Sequence, residues 1–271
     1  MQYPTKRFLL KLSAPPRRAL ARLGGKDLPA ALFVWIPKSA GTSIYISMAS
    51  LGMQKFKSLE KTRCLFTGRG MVTFGHQSVS RLIEVGAVTR DFVDRAFKFS
   101  FVRNPHDRCA SLYRYFKKLG RLPEETKYSD FITTLEGEWQ RHRSVPDVDP
   151  VAMSDRLLYA GEEFLLGRSR LQQVGLYNRL DWSQCRPQVD WLKGLGSPSD
   201  IHIGRIENAD EDYAKIITAL SEKSARIPAS GVSLPKLNTT RVEAGMEITR
   251  DPGIRRVVEE IYAEDFKAFG Y

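Results

Sequence analysis

The stretch AALFVWIPKSAGTS, residues 30–43, decides the fold of this chain. Its first part, residues 30–36, is continuously apolar, which is typical of a parallel strand buried on both faces. Pro37 ends the strand, and a helical pattern begins near Thr42 and runs to about Met53. A buried strand, a short polar loop and a helix together predict the first unit of a parallel α/β sheet.

The rest of the chain repeats this alternation of strands and helices. Further strands are predicted at 71–74, 97–102 and 201–206. A helix with apolar spacing i, i+3, i+4 and i+7 follows at Cys109, Leu112, Tyr113 and Phe116, with Pro105 near its first turn. The sequence therefore predicts an α/β fold, a single domain with a central, mainly parallel sheet flanked by helices. Its first loop predicts a P-loop-like strand–loop–helix nucleotide site.

The C-terminal part predicts two more helices. One covers residues 207–222, and the last begins after Asp251, an N-cap residue followed by Pro252. Two polar segments are predicted to be irregular, residues 120–200 and the loop 224–250.

The composition is that of a globular protein with a basic N-terminus. Of 271 residues, 42% are apolar, and no apolar run approaches the roughly 20 residues of a membrane span. The net charge is +11, and seven Lys and Arg precede the first acid, Asp27. Residues 1–29 are therefore predicted to be a basic arm and 30–271 the folded domain. Because that domain is only mildly basic, no nucleic-acid partner is expected.

The basic arm has three interpretations. Its short amphipathic stretches would suit contact with an anionic membrane surface. It could also be a solvated tail or a helix packed on the domain, and its composition fits a transit peptide.

Cysteine and histidine spacing gives two negative expectations. The three cysteines form no CxxC pair, which favours a reducing compartment, and the four histidines show no ligand spacing, so no metal is expected. We therefore expect a cytoplasmic protein, free or peripheral on the inner membrane surface.

Three predicted strand ends are followed by side chains that can bind an anion or transfer a proton: Lys38, His76 and Arg103. After the first strand, PKSAGTS (37–43) offers backbone N–H groups, a lysine and hydroxyls to an anion, although it lacks the Walker A spacing. After the third, Arg103 and Ser111 could hold a second phosphate. Alternatively, the first loop is an ordinary turn with an exposed lysine, and Arg103 is a surface residue paired with Asp107.

The two segments IPKSAGTS (36–43) and FVRNPHDRCASLYRYF (101–116) together resemble the donor-binding segments of sulfotransferases that use 3′-phosphoadenosine-5′-phosphosulfate (PAPS). The residues of these segments are similar to those of the branch that includes heparan 2-O-sulfotransferases and bacterial carbohydrate sulfotransferases. Weaker similarity extends to residues 202–213, 234–240 and 262–271. The resemblance implies a sulfotransferase that modifies a hydroxyl of a carbohydrate, in a glycan or glycolipid, and releases 3′-phosphoadenosine-5′-phosphate (PAP).

The resemblance also implies a set of donor-binding residues, with Lys38 contacting the phosphosulfate and Arg103 and Ser111 holding the 3′-phosphate. The full set is Pro37, Lys38, Ser39, Ala40, Gly41, Thr42, Ser43, Arg103 and Ser111. Closure over the nucleotide would involve Lys236, Asn238 or Arg241.

His76 is the predicted general base, because an imidazole at a strand end beside this loop can accept a proton from an acceptor hydroxyl. Lys38 is the second predicted catalytic residue, stabilising charge on the leaving phosphate. Alternatively, His76 caps a turn, and His106 and His202 are interpreted as packing residues. Two other functions stay open: a nucleotide-dependent phosphotransferase, or a non-catalytic nucleotide- or glycan-binding module of the same fold.

Overall fold

A computed structural model of the chain describes residues 28–57, 59–143, 182–235 and 251–271. Five strands form one sheet: β1 (Ala31–Val34), β2 (Gln54–Lys55), β3 (Met71–Thr73), β4 (Phe97–Val102) and β5 (Ile201–Arg205). Their order is β2-β3-β1-β4-β5, and every neighbouring pair is parallel. Since all five strands run the same way, their carboxyl ends share one edge of the sheet.

Helices follow the strands and flank the sheet. They are α1 (Gly41–Ser50), α2 (Leu59–Leu65), α3 (Val79–Glu84), α4 (Arg90–Arg95), α5 (Pro105–Lys118), α6 (Tyr128–Arg143), α7 (Trp182–Cys185), α8 (Ala209–Ser221), α9 (Pro252–Ile261) and α10 (Ala263–Phe269). Three 3₁₀ turns lie at Gln188–Trp191, Pro198–Asp200 and Ile206–Asn208. This architecture confirms the predicted α/β domain with a central parallel sheet and flanking helices.

Side chains alternate between the two faces of the sheet along each strand. Both faces are buried, because helices pack on each of them. Leu32 and Val34 of β1 pack in one apolar cluster with Leu82 of α3. On the opposite face, Phe33 packs with Ile44 of α1. A third cluster joins α5, α6 and α9 beside the sheet. The continuous apolar run of the first strand therefore reflects burial on both faces.

Two helix starts contain the residues predicted there, Pro105 and Asp251. Pro105 occupies the first turn of α5, where the Asn104 side chain accepts a hydrogen bond from the His106 N–H. The Asp251 carboxylate accepts hydrogen bonds from the N–H groups of Gly253 and Ile254 at the start of α9. In both cases a local side chain satisfies a backbone donor that the helix itself leaves open.

The prediction of an irregular segment over 120–200 was wrong for α6, a helix of 16 residues. Its buried residues Phe131, Ile132 and Leu135 pack in the cluster with α5 and α9. Most other positions of this helix are polar and exposed, so its apolar stripe is narrow. A narrow stripe gives only a weak helical signal in the sequence.

Several predictions fall outside the described residues. These are the arm over residues 1–27, the segment 144–181, and the loop that contains Lys236, Asn238 and Arg241. Among the helices that are described, none has the length and apolar character needed to cross a bilayer.

Candidate functional site

The β1–α1 loop, residues 35–40, has an unusual backbone at Lys38 and Ala40. Lys38 and Ala40 have φ angles of 69° and 50°, a region that side-chain-bearing residues rarely adopt. A Cβ on Gly41 would lie 2.0 Å from Trp35 Nε1, so only glycine fits at the start of α1. Ala40 provides no side-chain cap, which leaves first-turn N–H groups for an anion.

The hydroxyls predicted in this loop do not all face the same way. Thr42 is exposed at the start of α1, whereas Ser43 is buried. Ser39 is 1% exposed, and its hydroxyl donates a hydrogen bond to Gln188 Oε1 at 3.3 Å. The Ser39 side chain therefore holds the loop to the protein interior, and only its backbone remains for a ligand.

Arg103 directly follows β4, and Ser111 lies two turns into α5. Burial lowers the pKa of Arg103, while Asp107 and Glu207 oppose this effect. Within the described ranges no salt bridge joins Arg103 to Asp107. The alternative interpretation of Arg103 as half of a surface ion pair therefore does not agree with the structure.

Positive charges converge between the β1–α1 loop and α5. The Lys38 Nζ lies 4.2 Å from the centre of the Tyr115 ring. Burial, with Arg103, Lys118 and Arg114 in that order of effect, lowers the pKa of Lys38 to about 8. Like charges held this close favour binding of an anion, which would relieve their repulsion.

Arg114 is a member of this cluster that the sequence analysis missed. Its Nε and Nη1 are buried and lack a hydrogen-bond partner, and burial and Arg103 lower its pKa. Arg114 follows Ser111 by three residues, which places both on one side of α5. That spacing was the available signal.

His76 is docked on the end of β1. Gly75, with a φ of 62°, turns the chain after β3, and His76 Nδ1 lies 3.2 Å from the Trp35 carbonyl oxygen. Because a carbonyl oxygen only accepts, Nδ1 carries the proton, and Nε2 is the basic nitrogen of the neutral ring. The His76 ring also meets the Trp35 ring edge-on, with centroids 5.3 Å apart. His76 therefore contacts the chain at Trp35, three residues before Lys38.

Lys55 is a cation beside Trp35, and sequence reasoning missed it. Its Nζ lies 3.5 Å from the centre of the Trp35 ring, and burial, followed by Lys57, lowers its pKa to about 8. The strand β2 that positions Lys55 is two residues long, too short to leave a periodic signal in the sequence.

Arg108 holds the β1–α1 loop through a hydrogen bond from the protein interior. It is fully buried, and its Nε donates a hydrogen bond to the Pro37 carbonyl oxygen at 3.1 Å. Its Nη2 donates to the Gln184 carbonyl oxygen at 2.8 Å, which ties the loop to α7. A buried guanidinium fixes the bend that presents Lys38.

The other described histidines lie apart from this site or pack within it. His106 Nε2 is 3.4 Å from Glu259, and its ring packs on Phe266. His202 stacks on Phe97, at the amino end of β4, with ring centroids 4.3 Å apart. Neither the sheet edge nor any other part of the described chain brings together three potential metal ligands.

Comparison with known proteins gave one match. Residues 29–157, slightly less than half of the chain, match the model of the sulfotransferase family. The matched region contains the β1–α1 loop, His76, Arg103 and Ser111. No match was found among curated proteins or among solved structures.

Proposed function

We propose that this chain, whose residues 29–157 match the sulfotransferase family, transfers a sulfuryl group from PAPS to a carbohydrate hydroxyl. The match supports sulfuryl transfer as the class of reaction. The observation that carries the proposal is the meeting of three cations, Lys38, Arg103 and Arg114, whose burial and mutual repulsion lower the pKa of Lys38 and of Arg114. Among the described residues none of the three forms a salt bridge, although Asp107 and Glu207 offset part of the effect of burial at Arg103. A donor with phosphates at both its 3′ and 5′ positions fits such a site.

The two phosphate positions have separate binding groups. Backbone N–H groups at the uncapped start of α1 and the Thr42 hydroxyl bind the 5′ side. Arg103 offers its planar fork to the 3′-phosphate, and Ser111 offers a hydroxyl. The charge of Arg114, which interacts with those of Lys38 and Arg103, adds to the positive potential around the bound anion.

His76 receives the proton of the acceptor hydroxyl on Nε2, while its Nδ1–H stays bonded to the Trp35 carbonyl oxygen. The freed oxygen forms a bond to sulfur as the bond from sulfur to the phosphate oxygen breaks, and PAP leaves. Lys38 stabilises the negative charge that develops on that phosphate oxygen. Positioning and charge stabilisation supply most of the rate acceleration in transfers of this kind.

Calorimetric titration with PAP tests the proposal, with ATP and Mg²⁺ as the competing ligand. PAP should bind to the full chain and ATP should not displace it. Arg103→Ala should weaken PAP binding by about 100-fold, because two charge-assisted hydrogen bonds are lost.

Arg256→Ala is the matched control, since Arg256 is 81% exposed and pairs with Glu260 on the surface of α9. Its PAP affinity should equal that of the wild type. Preference for ATP, binding of neither nucleotide, or unchanged binding in Arg103→Ala would each contradict the proposal.

A further inference from the structure

We propose that Gln188 is a positioning residue that sets the spacing between the two phosphate-binding segments, so that they recognise a 3′,5′-bisphosphate as one unit. This inference rests on the proposed function and extends it to a residue outside the region that matches the family. Gln188 belongs to the 3₁₀ turn Gln188–Trp191, far in sequence from both segments.

Gln188 contacts both segments with one side chain. Its Oε1 accepts hydrogen bonds from the Ser39 hydroxyl at 3.3 Å and from the Arg103 N–H at 2.9 Å. Its Nε2 donates to the Arg103 carbonyl oxygen at 2.9 Å. Arg103 is thus held at both backbone polar groups, and Ser39 is held through its side chain. A single amide group fixes how far the first loop lies from the second.

Asp265 of α10 holds Gln188 in turn. Its carboxylate accepts hydrogen bonds from the Gln188 N–H at 2.8 Å, the Val189 N–H at 2.9 Å and Gln188 Nε2 at 3.3 Å. Gln188 and Asp265 are both fully buried. A carboxylate only accepts hydrogen bonds, so it orients the amide with Nε2 toward Asp265 and the Arg103 carbonyl oxygen, and with Oε1 toward the Ser39 hydroxyl and the Arg103 N–H. This fixed orientation lets the amide accept from Ser39 and Arg103.

Fixed spacing has a specific consequence for affinity. When two binding groups are held at the separation of two phosphates, the second contact forms without a further ordering cost. A ligand with one phosphate gains nothing from this arrangement. The proposal therefore predicts that Gln188 strengthens the binding of PAP and leaves the binding of 5′-AMP or 3′-AMP nearly unchanged.

Titration of the full chain with PAP, 5′-AMP and 3′-AMP tests this prediction. Gln188→Met keeps the length of the side chain and removes its polar atoms. Its PAP affinity should fall by about tenfold or more, whereas its affinity for each monophosphate should change by less than about threefold. Ser39→Ala, which removes one hydroxyl and leaves Gln188 in place, should show the same pattern with a smaller change. It keeps the test available if Gln188→Met does not fold.

Ser100→Ala is the matched control for a lost buried hydrogen bond. The Ser100 hydroxyl donates to the Val34 carbonyl oxygen at 2.8 Å, between the two strands that lead into the segments. Ser100→Ala should lower the melting temperature and keep the ratio of PAP to monophosphate affinity. Equal losses for all three nucleotides in both Gln188→Met and Ser39→Ala, or a changed ratio in Ser100→Ala, would overturn the inference. A wild type that does not bind PAP would overturn the proposed function itself.

Discussion

The cations at the carboxyl edge of the sheet differ from those on the outer helices. On the outer helices, Arg95 pairs with Asp91 and Arg256 with Glu260, each at four residues' separation with N–O distances of 2.9 Å. At the sheet edge, the described part of the chain gives Lys38, Lys55, Arg103 and Arg114 no salt bridge. Burial also lowers the pKa of each of these four.

The difference indicates that the cations at the sheet edge lower the stability of the ligand-free protein, whereas those on the outer helices do not. Exposed pairs along a helix contribute little to stability and little to binding. Half-buried cations that form no salt bridge destabilise the ligand-free protein, and an anionic ligand removes that cost. Perturbed groups that cluster in this way mark a functional site more clearly than the overall net charge does.

The largest effect expected from the proposed function is the loss of catalysis on removal of His76. His76→Ala should lower kcat by about 10²- to 10⁴-fold, because the acceptor hydroxyl loses its general base. The Kd for PAP should stay within about twofold, since His76 is assigned to the acceptor side. Transfer of labelled sulfate from PAPS to a desulfated heparan oligosaccharide measures kcat, and calorimetry measures Kd. His202→Ala, at the opposite end of the sheet, should leave both unchanged; equal losses of kcat and affinity in His76→Ala would contradict the assignment.

The pH dependence of PAP binding should distinguish the two lysines at the sheet edge. The pKa of Lys38 is lowered to about 8, so the ligand-free protein loses this charge as the pH rises through 8. Since the anion binds the charged form, PAP affinity should be about tenfold weaker at pH 9 than at pH 7. Lys38→Arg keeps its charge and should bind equally at both values.

Lys55 is the control for this profile, because its pKa is also lowered to about 8. Lys55→Arg should retain the full decline of affinity between pH 7 and pH 9. A flat profile in Lys55→Arg, or a decline that persists in Lys38→Arg, would assign the titration to another group.

The smallest expected effect compares one substitution at two positions near α1. Ala40→Gly should stabilise the ligand-free protein by about 0.5–1 kcal/mol, because glycine relieves the positive φ of 50°. Ala49→Gly, at an exposed position within α1, should destabilise it by about 1 kcal/mol. Midpoints of urea unfolding measure both changes. Shifts of the same sign would show that the loop backbone stores no strain.

The sequence predicted those parts of the fold that depend on local patterns. The apolar run before Pro37, the predicted strand over 97–102, the proline at 105 and the cap at Asp251 are patterns that act within a few residues. Strand ends in a parallel sheet meet at one edge, so Lys38, His76 and Arg103 could be placed together from their positions alone.

The tertiary structure decided which further residues complete the site. No motif in the sequence assigns a role to Arg114 or Lys55. Only burial beside other cations, which lowers the pKa of each, distinguishes them from other basic residues. Gln188 and Asp265 lie in segments without a motif, and the role proposed for them rests on contacts that span 77 residues or more. Local patterns determine strands, loops and caps because those forces act along the chain. Charge clustering and buried hydrogen bonds form only when distant segments meet, so only the folded molecule determines them.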